Sequence, residues 1–168
     1  MTDAILFSKY PDIKSMVECI FNARPEITSF ILDSEIVAID AADGSLRSFQ
    51  ELSNRARKEV QLKDIQISVC VFAFDLMYFN GEVREIGVHL SRYPDPWGQI
   101  LLEHAFRERR SLLRTRFPPF VPPVKWAARL DHVEACESEL GRDVIDRFWE
   151  KALDSRCEGL MIKVSPSF

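Results

Sequence analysis

IQISVCVFAFDLMYF, residues Ile65 to Phe79, is apolar at both alternating positions and runs into Asn80-Gly81. Side chains of a strand point alternately to opposite faces, so this pattern describes a central strand covered on both sides, and Asn-Gly supplies the tight turn that ends it. Asp75 breaks the run. An ionised carboxylate in such surroundings is strongly unfavourable unless paired, so Asp75 requires an arginine, a backbone amide or a functional role. Strict alternation puts Phe72, Phe74 and Tyr78 on the face opposite Asp75, either as ordinary packing or as a surface on which a purine stacks.

Upstream, FILDSEIVAID (Phe30 to Asp40) is rich in β-branched and aromatic residues and is followed by Asp43-Gly44, which predicts a strand entering a hairpin. In that strand Asp33 and Glu35 share one face, and Leu32, Ile36 and Ala38 share the other. Two carboxylates on one surface are either a solvated edge or a grip for a ribose hydroxyl or a metal ion. Ile13, Met16, Val17, Ile20 and Phe21 recur at helical spacing before Pro25, so a helix precedes the strand. The polar segment Phe49 to Gln61, with Arg55, Arg57 and Lys58, reads as a solvated helix.

Downstream, Ile86 to Ala105 holds the cluster Tyr-Pro-Asp-Pro-Trp-Gly (Tyr93 to Gly98), which breaks both the helical and the strand period. Phe106 to Phe117 resumes as a basic helix carrying Arg107, Arg109, Arg110, Arg114 and Arg116 on an exposed face. Pro118, Pro119, Pro122 and Pro123 predict a rigid, extended connection. Asp131 with Glu134 has capping-box spacing, and Val144, Ile145, Phe148, Trp149 and Leu153 continue an apolar helical stripe. The expected order then closes with Gly159 and a short strand. Glu158, beside a glycine that permits close approach to the backbone, is a candidate ligand for a metal or phosphate site, whereas alternation puts Lys163 on the opposite face.

With 168 residues, 46% of them hydrophobic, the chain can build one core, and it is too polar throughout for a membrane span. Cys19, Cys70, Cys136 and Cys157 are scattered without a Cys-x-x-Cys pair and without a secretory signal, which predicts reduced thiols in an intracellular compartment and gives a zinc site little support. The net charge of -4 argues against a generic electrostatic nucleic-acid binder, but it leaves room for a local basic face.

Six segments, KYPDI from Lys9, TSFILDSEIVAID, SFQELSNRARKEV, ISVCVFAFDLMYFNGE, RERRSLLRTRF and CEGLMIKV, resemble in content and order the adenylation domain of the replicative-type ATP-dependent DNA ligases of eukaryotes. The resemblance implies an α+β fold of the nucleotidyltransferase (ATP-grasp-like) kind, with antiparallel sheets flanked by helices. It also implies site residues: Glu35 of motif III contacts the ribose, Phe74 of motif IIIa stacks on adenine, Glu158 of motif IV attends the catalytic metal, and Lys163 lies near the phosphate. Its implied cofactors are ATP and Mg²⁺, and its implied partner is nicked double-stranded DNA. A monomer, nuclear and also mitochondrial, without a membrane association, completes the expectation.

The chain departs from the family pattern at Ser34, where many relatives carry glycine. No lysine within the 168 residues stands in the Lys-x-Asp-Gly context of the family's nucleophile, since Lys9-Tyr10-Pro11-Asp12 places proline where that aspartate belongs. Motif V and an oligonucleotide-binding domain are likewise not found within it. The expectation is therefore the central part of an adenylation domain, inactive in isolation for want of its nucleophile. Two alternatives remain: a non-enzymatic nucleotide- or DNA-binding fragment, and an mRNA-capping guanylyltransferase, whose motif IV usually begins with aspartate. About twenty residues, 86–105, are surplus to the resemblance and read as a non-native insertion or a genuine surface loop.

Overall fold

A computed structural model describes residues 10–53, 55, 60–80, 99–155, 157 and 159–163. They form two compact units, the first ending at His132 and the second beginning at Val133.

In the first unit the sheet is organised around one long strand. Helix α1 (Pro11–Ala23) leads into strand β1 (Phe30–Ile39), a short helix α2 (Phe49–Ser53) and strand β2 (Ser68–Phe79). Strand β3 (Gln99–Ile100), helix α3 (Phe106–Arg116) and strand β4 (Arg129–His132) follow. β2 is central: β1 and β3 pair with it antiparallel, and β4 pairs with it parallel. This is the α+β arrangement expected of a partial adenylation domain, with one parallel pair added.

The core lies where α1 and α3 pack on the sheet. Met16 and Ile20 of α1, Leu113 of α3, and Val69, Val71, Ala73, Leu76 and Phe79 of β2 are all buried in one cluster. Phe117, just past α3, sets its ring edge-on to Phe30 at 4.8 Å and to Phe79 at 5.9 Å, tying both long strands to the helix. Pro11 at the first helical turn of α1 fits because its missing N–H would have had no partner there.

The residues that β2 gives to the core cluster run 69, 71, 73, 76 and 79, not at a strict period of two. The register explains this. Ser34 pairs with Ala73 and Asp33 with Asp75, so Phe74 is an extra residue; Ile31 pairs with Tyr78 and Leu32 with Leu76, so Met77 is another. Each bulge shifts the strand's parity by one. Strict alternation therefore misplaces Asp75, which falls between the two bulges.

Several sequence-based expectations are corrected. Asp131 does not open a helix: it lies in β4, where its Oδ1 accepts the N–H of His132. The parallel partner β2 draws Leu130 into the core, and that tertiary gain overrides a local capping signal. Helix α4 (Arg142–Asp154) begins eleven residues later, after Gly141 at φ 91°, without a side-chain cap. In the segment Phe49 to Gln61 the structure describes a helix over Phe49–Ser53, and Arg55 is 7% exposed rather than solvated. Arg57 and Lys58 lie outside the described residues. Residues 159–163 are not in a strand. The proline-rich connection is partly extended, since Phe120 bridges to Leu130, but it then turns between 123 and 126.

In the second unit α4 carries the expected stripe, with Ile145, Trp149 and Leu153 exposed and no buried residue. Lys151 of α4 reaches both oxygens of Glu134 at 2.6 and 2.7 Å.

Candidate nucleotide site

β1 and β2 carry the sequence-predicted site residues of the first unit side by side. Glu35 is exposed on β1, as is Asp33, and its Cα partner on β2 is Phe72, two residues from Phe74. Phe72, Phe74 and Tyr78 are half-buried, so none is a fully enclosed core ring. A free carboxylate accepts hydrogen bonds from hydroxyl groups, and a part-exposed ring offers a π-face. The two functions meet on neighbouring strands.

The partner that Asp75 requires is Arg109 of α3. Its Nε donates to Oδ1 at 2.9 Å and its Nη2 to Oδ2 at 2.7 Å, a two-pronged geometry that a lysine does not reproduce. Asp75 Oδ1 also accepts the N–H of Leu76 at 2.9 Å, and Arg109 Nη1 donates to the carbonyl of His104 at 2.7 Å. These bonds to the Asp75 carboxylate hold the Arg109 guanidinium more firmly protonated than usual. Arg109 thus leaves the exposed basic face on which the sequence places it. Arg116 sets its guanidinium 5.6 Å from the ring centre of Phe79 yet remains exposed, as do Arg107 and Arg114.

Two neighbouring devices hold the ends of the paired strands. Asn80, at φ 42°, takes up the left-handed conformation that asparagine tolerates. Its Oδ1 accepts from Thr28 N at 2.8 Å, its Nδ2 donates to Glu26 O at 2.7 Å, and its N–H donates to Ser29 O, locking the end of β2 to the start of β1. At the other end of β1, Arg47 bridges Asp40 at 2.6 Å and Glu51 at 3.0 Å. Gly44, at φ +78°, sits so close to Arg129 that an added Cβ would lie 2.8 Å from Nη1.

Lys163 belongs to the second unit, where it is half-buried. Glu158 lies outside the described residues. Among the described residues no three His, Cys, Asp or Glu side chains come together to hold an ion, so the described geometry does not itself form a metal site. Nor, among them, is any helix long and apolar enough to cross a membrane. Cys70 is buried in β2, and its thiol is pushed up to about 12 by that burial, with Asp131 adding to the effect. It is a packing residue, not a nucleophile.

The sequence signal for Arg109 existed only in part. A buried aspartate announced the need for a cation, but nothing local chose Arg109 from the five arginines of its helix. The union of Arg55 with Asp12 carried no local signal at all.

The paired strands thus present an exposed carboxylate beside half-buried aromatic rings, and comparison with known proteins gives the chain's family. Residues 2–167 match the ATP dependent DNA ligase domain, and the chain belongs to that family. It is 38% identical over 157 residues to DNA ligase 1 of Dictyostelium discoideum, covering 92% of this chain and 11% of that protein. With DNA ligase 1 of Schizosaccharomyces pombe it shares 35% identity over 156 residues, 93% of this chain and 17% of the relative. A DNA ligase of Saccharolobus solfataricus is 31% identical over 157 residues, 93% of this chain and 21% of its own length. The chain therefore spans a fifth or less of the length of most of these curated relatives. The reading as a capping guanylyltransferase is not favoured.

Proposed function

We propose that this chain supplies the adenine and ribose contacts of an ATP-dependent DNA ligase adenylation domain, which seals nicks in double-stranded DNA during replication, repair and recombination. The observation that carries the reading is the placement of exposed Glu35 on β1 against the stretch of β2 that contains half-buried Phe74, in a chain of the DNA ligase family. Phe74 provides the stacking face for adenine, and Glu35 accepts a ribose hydroxyl. Lys163 contributes positive charge near the phosphates, and the Glu158 carboxylate is a hard oxygen ligand suited to Mg²⁺. When bound, that ion would neutralise phosphate charge. The intact protein acts on nicked DNA as a nuclear monomer, with a mitochondrial pool as a further expectation.

AMP titrated into the 168-residue chain tests the core of this reading. Backbone resonances around Glu35 and Phe74 should move together, and Phe74→Ala should weaken binding by about tenfold, since aromatic stacking on a base contributes ~1–3 kcal/mol. Equal affinity in Phe74→Ala would remove the stacking role. With ATP and Mg²⁺ the same polypeptide should form no lysine-linked AMP, because no Lys-x-Asp-Gly occurs in it.

A further inference from the structure

We propose that Arg109 is a positioning residue that pins the β-bulge at Phe74 through Asp75 and so sets the orientation of the stacking ring; the link to nucleotide binding rests on the function proposed above. Phe74 is the extra residue in the β1–β2 ladder, and Asp75 follows it directly. On its other edge β2 is paired to β4 through Cys70–Ala73 and to β3 through Tyr78 and Phe79. Residues 74–77 thus fall between the two strand partners on that edge. Arg109 occupies the gap's role from α3: it grips both oxygens of Asp75, while Oδ1 accepts the Leu76 N–H and Nη1 of the same guanidinium holds His104 O.

A bulge is a movable defect. Shifting the extra residue by one position exchanges the faces of the side chains between the old and new sites. If the bulge moved to Asp75, the buried carboxylate would leave its part-buried arginine, which is strongly unfavourable. The ion pair therefore selects one register out of several close alternatives, and the residue whose direction that choice determines is Phe74. The nearby hydrophobic positions do not discriminate as sharply, because an apolar residue can replace another at modest cost.

Arg109→Lys tests the inference, because it keeps the charge but loses the fork. In the ligand-free chain the amide and ring resonances of Phe74 should split or broaden, while those of Val69 and Val71 stay in place. AMP affinity, corrected for the folded fraction, should fall about tenfold, the order seen when an outer partner of a binding group is removed. Phe74→Ala/Arg109→Lys should bind no more weakly than Phe74→Ala alone, since the arginine acts through the ring. Leu113→Ala, a core change in the same helix, controls for general destabilisation and should leave the Phe74 resonances single. Unchanged Phe74 signals in Arg109→Lys, or the same splitting in Leu113→Ala, would overturn the positioning role. Failure of the unaltered chain to bind AMP would count against the nucleotide reading instead, and the ring resonances would still decide the role of Arg109.

Discussion

Arg55 and Asp12, 43 residues apart in sequence, form an ion pair at 2.5 Å in which the side chains are 5% and 1% exposed. The guanidinium also lies over the Tyr10 ring at 5.5 Å. Asp12 Oδ1 and Arg55 Nε and Nη1 find no hydrogen-bond partner among the described residues. Such a pair contributes little net stability compared with an apolar substitute, but removing one member strands the other charge. Arg55→Ala should therefore destabilise the chain by about 3–5 kcal/mol. Asp12→Leu/Arg55→Met should recover most of that loss. Urea denaturation of both variants checks this, and a double variant no more stable than Arg55→Ala would show that the pair does more than neutralise itself.

The pairing of Phe79 with Gln99 brings together the two ends of a nineteen-residue interval, and Asn80 already has the positive φ that a two-residue turn demands. Leu101 is buried in the core and its N–H donates to Met77 O, so the end of the segment that looks surplus in sequence belongs to the fold. Deleting residues 82–98, which would join Gly81 to Gln99, should leave an Asn-Gly hairpin and a melting temperature equal to or above that of the full chain. Closure of a shorter loop loses less entropy. A marked fall in melting temperature would assign those residues a stabilising role.

Acid should loosen the turn after β1. The hydrogen bond from Arg47, aided by the Ala42 N–H, holds the Asp40 carboxyl below its ordinary value of 3.8, and the Ser45 N–H does the same for Asp43. A depressed folded-state value means that the stabilisation is fully present above 3.8 and disappears as the pH falls through the lower folded value. Carboxyl-carbon titration by NMR should place both groups below that ordinary value. Arg47→Ala should return Asp40 towards it, while Asp43, held by a backbone amide, stays depressed.

Thiol labelling should separate the cysteines by burial. Cys157 is exposed, whereas Cys70 is buried and keeps its proton until about 12. At pH 8 iodoacetamide should modify Cys157 and spare Cys70, which becomes reactive only in denaturant. Peptide mass spectrometry reads the outcome. Rapid native labelling of Cys70 would mean that β2 opens locally.

The sequence by itself determined the elements whose signals are local. The helical spacing from Ile13 to Phe21 and the long apolar run to Phe79 each describe a segment's own period, and helix α1 and strand β2 formed there. Ordered motifs likewise carried the family, because several segments in family order leave a recognisable series along the chain. Only the tertiary structure decided which arginine neutralises Asp75, that Arg55 is buried against Asp12, and that Asp131 lies in a strand rather than at a helix start. Those outcomes depend on groups distant in sequence, whose desolvation and packing outweigh the propensities of either segment alone. The bulge at Phe74 belongs with them: its position depends on registering β1 against β2 and on the helix that supplies Arg109, and neither relationship is written within the strand.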